Sequence, residues 1–250
     1  MCADFNTVAD DFFVNMTLQT TLALPTNRET VLHFFEAVQR EFPAMGSFYQ
    51  REPGGEFVLE GDRESGSYPW MELHENRLSA GFFNPPDAAT AYRMHHWLLD
   101  RSVYFLGCSP LDVDSLDVVF GFNLDYQGNR DRIVSQALLG GSPLGAFLLD
   151  DSAQPLECEP GVVIALDEDC YVQARLAVET RSNSYQVRTS SYSEDPISVY
   201  FTVRQYPAPG KVLSFVEAIG DQCSQCEELV CAMVIPNILR PIASAIAGAR

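Results

Sequence analysis

The chain has 250 residues, of which 46% are hydrophobic and 11% aromatic, enough to bury a sizeable core, so a folded protein of one large or two small domains is expected. Its 34 acidic residues against 16 basic ones give a net charge of -18. Charge of that sign repels nucleic-acid phosphates and anionic membrane surfaces, and the basic residues are scattered with no local patch, so neither nucleic acid nor membrane is an expected partner.

Residues 1–11 carry Asp4, Asp10 and Asp11 and no cationic segment followed by an apolar one, so no secretory signal is read there and the cytoplasm is the expected compartment. The odd number of cysteines, seven, and the wide separation of Cys2, Cys108, Cys158 and Cys170 suit reduced thiols better than a disulfide framework. Over 14–24, Val14, Met16, Leu18, Thr20, Leu22 and Leu24 alternate with Asn15, Thr17, Gln19, Thr21 and Ala23, the period of a strand with one buried face. Thr26 and Glu29 then have capping-box spacing, and Val31, Phe34, Phe35, Val38 and Phe42 share one face of the helix that follows. A hairpin is expected over 68–83, turning at His74 to Arg77, and Asn84-Pro85-Pro86-Asp87 opens a helix through Leu99.

The pattern then returns. Leu116, Val118, Phe120, Phe122 and Leu124 alternate with Asp117, Val119, Gly121, Asn123 and Asp125, and the helix-start signal Asn27-Arg28-Glu29 recurs as Asn129-Arg130-Asp131. Ile133, Val134, Ala137 and Leu138 form the helix's apolar face, and Gly140-Gly141-Ser142-Pro143 stops it. A second hairpin is expected over 162–178, turning at Asp167 to Cys170 and corresponding to the first. Extra strands are expected over 185–191 and 197–206, and a longer helix from Pro207-Ala208-Pro209-Gly210 to about Val234. Pro236, Asn237, Arg240 and Pro241 interrupt the apolar stretch 229–249, which reads as a pair of short helices rather than a membrane span.

Together these elements predict an α+β fold, an antiparallel sheet with helices on one face, made of two related halves at residues 1–108 and 109–250 in one compact unit. In architecture the element order resembles ferredoxin-like and TATA-binding-protein-like pseudo-dimers, a resemblance of fold that implies no function.

Few residues suggest chemistry. Cys223 and Cys226 have Cys-x-x-Cys spacing, with Cys231 beyond, but they fall on the apolar stripe of Val212, Phe215, Val216, Ile219 and Val230, inside a helix rather than at its N-terminus, and read as buried thiols. No second paired motif completes a zinc site. His95 and His96 are adjacent on a helix and point about 100° apart, so they cannot share a metal in the helical i, i+4 manner. Asp100 lies one turn beyond His96 and is placed to orient it, yet no nucleophile motif accompanies them. His33 reads as a packed ring and His74 as a solvated turn residue. The groups Asp112, Asp114, Asp117 and Asp167, Glu168, Asp169 lack the order of a calcium loop and read as solvated charge. The glycine-rich stretch 140–145 lacks the ending of a phosphate loop.

No residue is therefore assigned a catalytic, cofactor-binding or metal-ligating role. The expected function is that of an acidic, non-enzymatic binding or interaction protein, with a protein partner or a second copy as its ligand. The alternatives are an enzyme whose pocket between the halves collects His95 or His96 with carboxylates, and a thiol or metal protein using Cys223 and Cys226.

Overall fold

The structure, a computed structural model, describes residues 5–52, 54–148, 154–210 and 212–249, so Cys2 and Asp4 lie outside the described residues. It is α+β, with a nine-stranded sheet in the order β2-β3-β4-β5-β1-β6-β9-β8-β7, every pairing antiparallel. In chain order these strands are β1 (Asp11–Thr20), β2 (Ser47–Gln50), β3 (Phe57–Glu60), β4 (Tyr68–His74), β5 (Arg77–Phe83), β6 (Val113–Leu124), β7 (Gly161–Ala165), β8 (Val172–Glu179) and β9 (Ile197–Gln205). The helices are α1 (Arg28–Glu41), α2 (Ala88–Phe105), α3 (Arg130–Leu139), α4 (Ser184–Thr189), α5 (Phe215–Leu229) and α6 (Arg240–Ala249).

Alternation decides the faces. Phe12, Val14, Met16 and Leu18 of β1 and Leu116, Val118, Phe120 and Phe122 of β6 are fully buried and share one core with Phe34, Leu98, Ile133, Ile219 and Ile242 of the helices. α5 sits tightly on β6 and β9: the Gln222 side chain, itself buried, donates to the Leu116 and Val203 carbonyls at 2.6 and 3.1 Å. An amide breaks the apolar stripe, so the periodicity does not mark Gln222 as a core residue. The periodicity also places Val212 on that stripe, where Val212 is 82% exposed because α5 begins only at Phe215.

Several boundaries move for identifiable reasons. The N-cap of α1 is Asn27, whose Oδ1 accepts from the Thr30 N–H at 3.0 Å, rather than Thr26. The strand expected over 185–191 is instead the short helix α4, closed by a reciprocal capping box between Asn183 and Gln186. β2 and β3 were not anticipated, and α2 runs six residues past Leu99 to Phe105. The prolines do not divide the C-terminal segment: Phe215–Ala249 is one helix of 35 residues, widened to π-helical turns over Val230–Leu239. A wide turn accommodates Pro236, which has no N–H to give, and the Asn237 side chain donates to the Met233 carbonyl at 2.8 Å. That helix is long and apolar enough to cross a membrane, yet Val234, Leu239, Ile242 and Ile246 lie in the core of the domain. The two hairpins do not correspond by position: β5 pairs with central β1, whereas β8 is separated from β6 by β9 and β7 forms the sheet's edge.

On the face away from the core, a register line runs through Tyr68, Phe83, Phe13, Gly121 and Tyr200. The rings follow one another at 5.4, 6.2 and 6.0 Å between centroids, and the Phe13 ring lies over Gly121, where a Cβ would meet it at 2.0 Å. Gly121→Val is therefore expected to lower stability by about 1–3 kcal/mol in urea unfolding, and Phe13→Ala in the same chain to recover part of the loss. Equal losses with and without Phe13 would show that the ring is not what fills the space.

Candidate functional site

Among the described residues no helix covers the sheet face opposite α2, α3, α5 and α6. That face carries a shallow depression of about 770 Å³ lined by Asn15, Asp117, Val163, Arg175, Tyr200 and Thr202 among others, spread over β1, β6, β7, β8 and β9. Asp117, expected to be solvated, is 7% exposed and is held by Arg204 through two parallel bonds, Nε to Oδ1 at 2.8 Å and Nη2 to Oδ2 at 2.5 Å. The pairing pushes the Arg204 guanidinium above its ordinary range, first through its hydrogen bond to Asp117. Arg181 ties the margin of the face together, donating to the Tyr200 hydroxyl at 2.6 Å and to Ser198 Oγ at 2.9 Å. Its backbone is left-handed, φ 51°, a conformation a non-glycine residue adopts only when its surroundings enforce it; here the Glu159 carboxylate accepts from the Arg181 and Thr180 N–H groups.

Beyond this face lies the edge strand β7. Val162, Val163 and Ile164 are 54%, 58% and 47% exposed, a run of three large apolar side chains open to solvent. Consecutive apolar residues in a strand are the pattern of burial on both faces, so their exposure stands out.

The histidines separate. His95 is fully buried in α2 with no hydrogen-bond partner at either ring nitrogen among the described residues, and burial pushes its pKa down to about 3. His96 is exposed and lines a second depression of about 850 Å³ with Glu41, Phe42, Tyr92, Trp97 and Asp100. That depression lies within residues 1–108 rather than between the halves, and both hydroxyls in its lining are engaged, Thr90 donating to Asp87, the N-cap of α2, and Tyr92 to Glu227. His33 is exposed, not packed into the core as expected, with its ring edge-on to Phe105 at 5.0 Å. His74 ends β4.

Cys223 and Cys226 are buried as expected from the stripe. Burial drives the Cys223 thiol up to about 12 and the Cys226 thiol higher still, and Tyr92, whose hydroxyl donates to Glu227 at 3.1 Å, shares their surroundings. Among the described residues no group of three or more His, Cys, Asp or Glu side chains is placed to hold a metal ion. Cys108, Cys158, Cys170, Cys223 and Cys226 are free thiols, and Cys231 is disulfide-bonded, against the expectation of reduced thiols throughout. Of the five free thiols Cys170 alone is exposed, so brief iodoacetamide treatment of the native protein at pH 8 is expected to alkylate Cys170 first and leave Cys223 and Cys226 unmodified until unfolding. Mass mapping that found Cys223 modified as fast as Cys170 would contradict that assignment.

The acidic groups are partly structural. Asp112 Oδ1 accepts from the Leu22 N–H at 2.7 Å and ties the segment after β1 to the one before β6, Asp167 Oδ1 accepts from the Val172 N–H at 2.9 Å across the β7–β8 turn, and Glu168 and Asp169 are exposed. A buried polar cluster escaped the sequence reading. Arg130 and Asp131, which by sequence signal only a helix start, are both 0% exposed: Arg130 donates to the Ser193 and Asp195 carbonyls at 3.0 and 2.6 Å, and Asp131 accepts from the Cys158 N–H at 2.7 Å and the Thr180 hydroxyl at 2.6 Å.

No protein-family model matches the chain. No curated protein matches it either. Among solved structures, similarity is found to the rolling circle replication initiator protein from Geobacillus stearothermophilus, at 10% identity over 84% of this chain and 78% of that one, with a TM-score of 0.25. A likeness at that level carries no argument about fold or function.

Proposed function

We propose that the chain is a non-enzymatic interaction protein, built as an internal pseudo-dimer of halves 1–108 and 109–250, that holds a protein partner along the uncovered face and outer edge of its sheet. The observation that carries this proposal is β7, which leaves Val162, Val163 and Ile164 about half exposed at one edge of the sheet. The pseudo-dimer is supported by the sheet order, in which β1 and β6 pair at the middle and β5-β4-β3 and β9-β8-β7 extend outward from them. It is supported too by the matching caps, Asn27 on α1 and Asn129 on α3, each accepting at 3.0 Å from the N–H three residues on. A net charge of -18 favours a partner that is basic where it meets this chain, and disfavours nucleic acid and anionic membranes.

Site-specific photocrosslinking in the producing cell tests the proposal. A benzophenone side chain at Thr202 on the open face or at Val163 on the edge is expected to give discrete protein adducts, and one at Glu36, exposed on α1, is not. Adducts equal at all three positions, or none, would contradict it.

A further inference from the structure

The hydrogen-bonding phase of β7 shows which of its backbone groups are unused. The Val178 N–H donates to the Pro160 carbonyl and the Leu166 N–H to the Val172 carbonyl, so the alternate positions 160, 162, 164 and 166 turn toward β8. The N–H and C=O groups of Gly161, Val163 and Ala165 therefore face away from the sheet, where no strand lies among the described residues. Natural edges are usually blunted by a lysine, a proline or a bulge within the strand, and Gly161–Ala165 contains none of these. Its side chains offer apolar contacts on both faces: Val163 beside Arg175 and Thr202 on the open side, Val162 and Ile164 on the side of the core, beyond the reach of the helices.

The charges around the strand distinguish between occupants. Glu157 and Glu159 precede it, and Asp167, Glu168 and Asp169 follow it. A second copy pairing antiparallel about Val163 would bring the acids before its own β7 to the end of this one that carries Asp167 to Asp169, and the reverse at the other end. Parallel pairing also sets acid beside acid. Self-association through β7 is thus opposed at both ends, while an apolar segment bracketed by cations is attracted at both. The other edge, β2, offers no comparable site: it is four residues long, and its Phe48 ring packs on Phe35 at 5.0 Å.

We infer that β7 is a docking strand that takes an extended, apolar segment of another protein flanked by lysine or arginine, adding a tenth strand to the sheet. This rests on the interaction role proposed above and specifies the partner's chemistry. The test is fluorescence anisotropy with the full chain and a labelled peptide of five alternating valines and isoleucines between two pairs of lysines, against the same core between pairs of glutamates. The lysine-flanked peptide is expected to bind saturably, at least tenfold tighter than the glutamate-flanked one, and more weakly as salt is raised. Val163→Pro removes an outward N–H that β8 does not use, so it should leave the melting temperature near that of the parent and lower affinity at least tenfold. Glu157→Lys with Asp169→Lys should reverse the preference between flanks.

Equal binding of both peptides, binding of neither, or undiminished binding by Val163→Pro would overturn the inference. So would a dimer in sedimentation that Val163→Pro dissociates, since the occupant would then be a second copy. If the peptides fail while crosslinks at Thr202 persist, the interaction role stands and only the β7 assignment falls.

Discussion

Asp131→Leu is expected to lower the stability of the folded chain by about 3–5 kcal/mol, the largest effect of any substitution considered. The Asp131 carboxylate is fully buried and is the acceptor for the Cys158 N–H and the Thr180 hydroxyl, both themselves buried. Removing it leaves the buried Cys158 N–H without an acceptor and the Thr180 hydroxyl with only the longer contact to Glu159 Oε1 at 3.3 Å, each at about 1–3 kcal/mol, and empties the space the carboxylate filled. Asp131→Asn keeps an oxygen in place and is expected to cost no more than half as much. The neighbouring Arg130 acts on the other side of the same helix start, holding the carbonyls of Ser193 and Asp195, so the two residues clamp the 155–160 and 193–196 segments onto α3. Urea unfolding of the three chains checks this, and equal losses for Leu and Asn would mean that shape rather than hydrogen bonding makes Asp131 matter.

Acidification from pH 6.5 to 5 is expected to cost the protein about 2 kcal/mol through His95 alone. The folded state keeps this ring neutral down to about pH 3, whereas the unfolded chain takes up the proton near 6.5. Between those values the unfolded state binds more protons, so the stabilisation is fully present above 6.5 and is lost as pH falls, by at most about 1.4 kcal/mol per pH unit. Most carboxylates remain ionised in the upper part of that window, which separates the His95 contribution from theirs. His95→Leu removes two ring nitrogens that have no partner among the described residues, so it should be neutral or stabilising at pH 7 and should flatten the stability profile between pH 6.5 and 5. An unchanged acid limb in that variant would place the sensitivity elsewhere.

How much of this was legible in the sequence depends on the range of the signal. The alternations in β1 and β6 marked the two central strands, because each buries one face and a one-residue slip would expose it. α4 carries two conflicting local signals: Asn183 and Gln186 have capping-box spacing, whereas Tyr185 and Val187 favour a strand, and the capping box prevails. β3 was also visible in principle, as the run Phe57, Val58, Leu59 after Gly54-Gly55. The candidate site was not legible. Val162 to Ile164 read as an ordinary hairpin strand, and only the strand order makes it an edge. Likewise Asn27-Arg28-Glu29 and Asn129-Arg130-Asp131 look alike, and burial separates them: Arg28 and Glu29 are exposed, whereas Arg130 and Asp131 lie under segments distant in sequence. Local patterns specify which face of an element is apolar, and long-range packing decides what covers it.

The central claim is that the outward backbone of β7 waits for a partner strand, and backbone amide exchange resolved by NMR tests it most directly. In the free protein the amides of Gly161, Val163 and Ala165 are expected to exchange quickly while those of Val162 and Ile164 are protected by β8. On adding the lysine-flanked peptide the first three should slow by an order of magnitude or more. Amides of Gly161, Val163 and Ala165 that are already protected in the free monomer, or that stay fast when the peptide is bound, would contradict it.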